Sequence, residues 1–208
     1  GNAGLQYTSR HLTPHERADA CTRGVRFFDH WYLTPQFDDD GDEIFNPLFY
    51  EGPWLPDSPL HSLFPHSLIL HKFSAGVGPR GFAKTYGIGK EVLPLILTQP
   101  GHRVTYATST NDLTEVFGGR CKHQIEFNPR INDDFGPLWG GALKPNRGSG
   151  AWGMSHFDLT NRSGLFCTSA ESRQRGMRPM TYYLDDPEYD SKQTTSMEVI
   201  RANAEILI

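Results

Sequence analysis

The stretch Gly78-Pro79-Arg80-Gly81-Phe82-Ala83-Lys84-Thr85 decides how this chain of 208 residues is read. It follows the pattern G-x-x-x-x-G-K-[ST], with Ala83 in place of the second glycine and the spacing from Gly78 to Lys84 intact. In such a loop successive backbone N–H groups turn inward, and the positive end of the following helix dipole helps them cradle phosphate oxygens. Alanine fits wherever φ stays negative. Gly78, Pro79, Arg80, Gly81, Phe82, Ala83, Lys84 and Thr85 are therefore the expected ATP-binding residues. Lys84 is expected to reach the β and γ phosphates as a catalytic cation, and the Thr85 hydroxyl to ligate Mg²⁺. The plainer alternative is a Gly/Pro loop that only joins a strand to a helix.

The flanking sequence supplies the context that such a loop needs. Ser67–Phe73 is a short apolar run suited to a buried strand, and a helix is expected from about Phe82, kinked or ended by Pro94. Arg103–Thr108 reads as the next strand. A helix capped by Ser109 or Thr110 follows, with Leu113, Val116, Phe117, Cys121 and Ile125 on one face, and Asn128-Pro129 ends it. Residues 132–150 read as loop. Two short strands near 152–159 and 164–169 surround the turn Asn161-Arg162-Ser163-Gly164, and Met180–Leu184 is a final strand. This order predicts an α/β fold with a mainly parallel central sheet flanked by helices. On the N-terminal side, the capping box Thr13-Pro14-His15-Glu16 opens an amphipathic helix through Trp31 or Tyr32, and 35–66 reads as a long loop. The chain thus divides into an N-terminal helix and loop, 1–66, and a core, 67–208.

A second motif completes the first. The strand Tyr182-Tyr183-Leu184 runs into Asp185-Asp186, about 100 residues after Lys84. A carboxylate at a strand's C-terminal end is suited to hold a metal opposite Thr85, so Asp185 is the expected metal-binding acid. Asp186 is placed to orient or deprotonate an attacking water. Asp185-Asp186-Pro187-Glu188 also has the form of a helix start, and one segment can serve both ends.

Composition narrows the field. With 20 basic and 24 acidic side chains the net charge is -4, which excludes a histone-like coat on DNA but not a locally basic groove. Thirteen Phe, 8 Tyr and 4 Trp give enough apolar mass for a real core. No run approaches the roughly 20 apolar residues of a membrane span, and the first ten residues lack the apolar stretch of a signal peptide. Cys21, Cys121 and Cys167 lie far apart without a C-x-x-C pair, which argues against a disulfide framework or zinc site and for a reducing compartment. The acidic run Asp38–Glu43 lacks calcium-loop ligands at Gln36 and Pro47, and reads as a solvated turn. His61, His66 and His71 share no helix or strand face, and Asn161-Arg162-Ser163 reads as a hairpin turn rather than a glycosylation site. Phe49, Tyr50 and Trp54 are candidates to pack on adenine, with ordinary core packing the plainer use.

The loop core Pro79-Arg80-Gly81-Phe82-Ala83-Lys84-Thr85 resembles the phosphate-binding loop of viral large terminase subunits. Three further stretches are similar to that family in the same order: Tyr106-Ala107-Thr108-Ser109, Asn128-Pro129-Arg130-Ile131 through Asp134-Phe135-Gly136, and Leu184-Asp185-Asp186-Pro187-Glu188. Together they span about residues 65–190. The resemblance implies a P-loop NTPase of the RecA-like (ASCE) type. It implies a Walker A lysine at Lys84, a metal-binding acid at Asp185 and a catalytic acid at Asp186. Many members have Glu at that last place, so Glu188 stays a second candidate. Arg80 is implied as an extra basic residue facing the γ-phosphate. Arg175 is implied as an arginine finger offered to a neighbouring subunit, with Arg173 and Arg178 as competitors; such a finger contributes roughly 10³–10⁵ in rate.

The implied activity is ATP hydrolysis, with ATP and Mg²⁺ as cofactors, by a bacteriophage DNA-packaging motor. It would drive double-stranded DNA into procapsids as a pentameric homo-oligomeric ring. The portal protein and small terminase subunit are the implied partners, the host cytoplasm the implied location, and no membrane is involved. A helicase-like nucleic-acid motor and a nucleotide-binding fragment without turnover are the alternatives. The chain opens at Gly1 and ends at Ile208 within a helical pattern, so the core is expected to be incomplete at its C-terminus.

Overall fold

The computed structural model describes residues 11–23, 25–45, 84–146, 148–170, 172 and 178–186. Thr13 and Glu16 form the expected capping box: Glu16 Oε2 accepts the Thr13 N–H at 2.7 Å and Thr13 Oγ1 accepts the Glu16 N–H at 3.3 Å. Two helices follow rather than the single one expected, α1 over Pro14–Arg23 and α2 over Val25–Tyr32. Within the expected 35–66 loop, β1 (Gln36–Phe37) and β2 (Glu43–Phe45) pair antiparallel around the acidic turn. Asp38 Oδ1 accepts the backbone N–H groups of Asp40 and Asp42, so the acidic run makes its own turn.

Helix α3 spans Lys84–Thr98 and continues through Pro94, where a kink or end was expected. Strand β3 (Arg103–Thr108), α4 (Asn111–Phe127) and α5 (Pro129–Leu138) come next, then β4 (His156–Asp158), β5 (Gly164–Ser169) and β6 (Thr181–Leu184). The four strands form one sheet in the order β4-β5-β3-β6. Strand β3 is parallel to both β5 and β6, and β4 pairs antiparallel with β5 through the expected hairpin. In that hairpin the Asn161 carboxamide bonds Ser163 N and Ile96 O, which marks Asn161 as a buried turn residue. The protein is thus mixed α/β with a mostly parallel sheet.

Helix α5 corrects the reading of 132–150 as loop. Asn128 does end α4, but its Oδ1 also accepts the Ile131 N–H at 3.2 Å, and Pro129 occupies the first helical turn. One residue therefore closes one helix and caps the next. Residues Leu113 and Val116 correct a second expectation: they are 50% and 49% exposed, while Thr114, Phe117, Cys121 and Ile125 face inward.

Alternation along the strands sets which side α3 and α4 cover. Tyr106 on β3 stacks on Phe117 of α4, and Tyr183 on β6 bonds Glu91 of α3, so both helices lie on the same side of the sheet. The approach is close. A Cβ added at Gly118 would lie 2.0 Å from Met154 O and 3.2 Å from Cys167 Sγ, so only glycine lets the 150–155 segment cross α4 there. Helices α1, α2 and α5 form an outer layer. Arg17 of α1 makes a two-pronged pair with Asp134 of α5 at 2.6 and 2.5 Å, and Tyr32 of α2 donates to the same carboxylate at 2.8 Å.

Candidate functional site

Strands β3, β5 and β6 run parallel, so their C-terminal ends share one edge of the sheet, where ligands of open α/β sheets bind. The N-terminus of α3 meets that edge. Thr85 Oγ1 donates to Asp185 Oδ2 at 2.6 Å, and Lys84 Nζ donates to Asp186 Oδ1 at 2.8 Å. Two adjacent residues at a helix start thus meet two adjacent residues beyond a strand end, a hundred positions away. A third contact joins them: Tyr106 donates its hydroxyl to Asp185 Oδ2 at 2.9 Å.

Backbone geometry gives the two acids different surroundings. Asp185 continues the ladder, its N–H donating to Ala107 O at 2.8 Å, and its residue is only 6% exposed. The chain then leaves the sheet. Asp186 has φ of 38°, in the left-handed region that short polar residues tolerate better than most. Its side chain is 68% exposed, against 18% for Lys84. One acid is fixed inside the fold and its neighbour faces solvent.

The side of α3 that faces the rest of the fold carries more polar chemistry than the sequence suggested. Lys90 Nζ donates to Asp29 Oδ2 at 2.6 Å, Tyr86 donates to Asp29 Oδ1 at 2.7 Å, and Lys90 lies 4.3 Å from the Tyr86 ring centroid. These contacts tie α3 to α2. Towards β6, Tyr183 donates to Glu91 Oε2 at 2.8 Å, while Glu91 Oε1 has no partner among the described residues. Burial pushes the Glu91 carboxyl up to about 8, although the Tyr183 bond pulls the other way. Burial, reinforced by the Asp185 carboxylate, raises the Tyr106 hydroxyl far above its ordinary value, so it stays a protonated donor. The signal for this layer was Lys90-Glu91 inside an otherwise apolar helix and Asp29 between Phe28 and Trp31.

Thr85 and Asp185 bring a hydroxyl and a carboxylate together beside an ammonium group, a set of hard oxygen donors. Among the described residues no three His, Cys, Asp or Glu side chains converge as a self-sufficient metal cage. That combination fits Mg²⁺ bound with phosphate, since this ion keeps several waters and takes only one or two carboxylates from a protein. Lys84 adds an ammonium group 2.8 Å from Asp186 at the same edge.

Other expected site residues fall elsewhere. Gly78, Pro79, Arg80, Gly81, Phe82 and Ala83 lie outside the described residues, as do Arg173, Arg175 and Glu188. So do the strand expected at 67–73, the terminal helix, Phe49, Tyr50 and Trp54, and His61, His66 and His71. Arg178 is described and exposed. Among the described residues no helix is long and apolar enough to cross a membrane. The chain matches no protein-family model and no curated protein.

Proposed function

We propose that the chain is a P-loop ATPase core of the RecA-like (ASCE) type, the N-terminal motor part of a terminase-like DNA-packaging enzyme. One observation carries the reading: Lys84 and Thr85 at the start of α3 each bond one of the two carboxylates that end β6. A strand-end acid facing the hydroxyl that follows a Walker A lysine is the pairing such an enzyme requires. In this reading Thr85 and Asp185 hold Mg²⁺, which neutralises phosphate charge when bound. Lys84 exchanges Asp186 for phosphate oxygens. Asp186, then released and solvent-facing, orients the attacking water, a duty that falls to Glu188 if Asp186 proves dispensable. Arg80 and Arg175 are proposed as the cations at the γ-phosphate, Arg175 from a neighbouring subunit.

The resemblance supports the wider proposal of a pentameric ring that moves double-stranded DNA together with a portal protein and a small terminase subunit. Hydrolysis of Mg-ATP by the full chain, lost in Lys84→Ala and strongly reduced in Asp186→Ala, is the expected result. Nucleotide binding without turnover, alone and with double-stranded DNA, replaces the motor with a binding module. Stimulation by single-stranded but not duplex nucleic acid points instead to a helicase-like motor.

A further inference from the structure

Asp185 Oδ2 accepts hydrogen bonds from two hydroxyls, Thr85 at 2.6 Å and Tyr106 at 2.9 Å. The two donors are built differently. Thr85 sits in the first turn of α3 and is part-buried, whereas Tyr106 is 2% exposed in the middle of the sheet. Its ring stacks on Phe117 with centroids 3.8 Å apart and planes 17° from parallel, which fixes where the hydroxyl lies. Strand register supplies the reach. Tyr106 pairs with Tyr183, and Asp185 is two residues further along the same face of β6.

We propose that Tyr106 is a positioning residue for the divalent-cation site, holding Asp185 by Oδ2 so that the carboxylate stays aimed at Thr85 throughout the nucleotide cycle. The inference rests on the ATP reading above. Thr85 has two tasks there, donating to Asp185 and offering a lone pair to the cation, and its segment meets the nucleotide. Among the described residues Tyr106 reaches the Thr85–Asp185 pair through its hydroxyl on Asp185, and its ring is set by the core. Supports of this kind behind a metal-binding carboxylate change metal affinity by roughly 10- to 100-fold when lost. They act without touching the ligand.

The test uses the full chain with Mn²⁺ as the probe, titrated by electron paramagnetic resonance in the presence of a non-hydrolysable ATP analogue. Tyr106→Phe removes one oxygen and keeps the ring. Its apparent Mn²⁺ affinity is expected to fall about 10-fold or more, while analogue binding in EDTA matches that of the unsubstituted chain. Phe117→Leu loosens the stack but keeps the hydroxyl, and separates packing from positioning. Unchanged Mn²⁺ affinity in Tyr106→Phe overturns the proposal. So does a loss of affinity that simply tracks the fall in melting temperature across both variants. Absence of analogue-dependent Mn²⁺ binding in the unsubstituted chain overturns the ATP reading itself, a result distinct from the other two.

Discussion

Helix α3 carries two lysine–aspartate pairs of similar length and opposite character. Lys90 and Asp29 meet at 2.6 Å with side chains 3% and 4% exposed; Lys84 and Asp186 meet at 2.8 Å with side chains 18% and 68% exposed. In the first pair both charges have left water, and each depends on the other and on Tyr86 for its stability in the interior. In the second, Asp186 faces water, which stands ready to take the place of Lys84. The comparison teaches that the same chemistry serves as a rivet at one turn of a helix and as an exchangeable contact at another. Exposure sets the difference, since it decides what happens when the partner leaves.

The largest effect should come from breaking the buried pair. Asp29→Ala removes the carboxylate that meets the Lys90 ammonium inside the fold, and about 3–5 kcal/mol of stability should be lost. That amounts to roughly 10 °C in melting temperature by calorimetry for a chain of this size. The double replacement Asp29→Leu/Lys90→Met should recover most of it, and failure to do so would show that the pair contributes more than mutual neutralisation.

Next in size is the catalytic consequence of the exposed pair. On the proposed ATPase reading, Lys84→Ala should lower Mg-ATP turnover by roughly 10²- to 10³-fold or more in a phosphate-release assay, because that reading aims this cation at developing phosphate charge. A smaller effect probes the third charged residue of the helix, Glu91. Its carboxyl titrates near 8 in the folded chain, so between the ordinary carboxylate range and pH 8 the folded state holds a proton that the unfolded state has lost. Stability is therefore full at low pH and declines as pH rises through that window. The melting temperature should drop by roughly 5 °C from about pH 6 to about pH 9, and Glu91→Gln should flatten the profile. Smallest of all, Lys84→Ala should change thermal stability by less than about 1 kcal/mol, since its partner is solvated. A large destabilisation there would dissolve the contrast between the two pairs.

The residues of the exchangeable pair stand out in the sequence, though their mutual contact does not, and the rivet does not stand out at all. Lys84, Thr85, Asp185 and Asp186 announce themselves because their residue types recur at fixed places in short linear patterns, and a strand or helix end can be read from local punctuation. Asp29 and Lys90 meet only because α2 and α3 pack together, and no local pattern encodes a partner 61 residues away. Tyr106 stands in the sequence only as part of its stretch; its hydrogen bond depends on the register of β3 and β6, which a single sequence does not specify. Asn128-Pro129 was read as a stop because either residue ends a helix, yet the same residue types also begin one. Leu113 and Val116 fitted a helical stripe, but the inward face proved narrower and turned towards Thr114, Phe117 and Cys121. The four-strand order and the antiparallel β4 likewise follow from pairing rather than propensity.

The left-handed turn at Asp186 reaches beyond geometry into what the chain is free to become. Aspartate settles into that conformation with help from its short polar side chain, and glutamate does so less readily. A longer acid at this place would gain a methylene of reach and lose the comfort of the turn. The two properties cannot be altered one at a time.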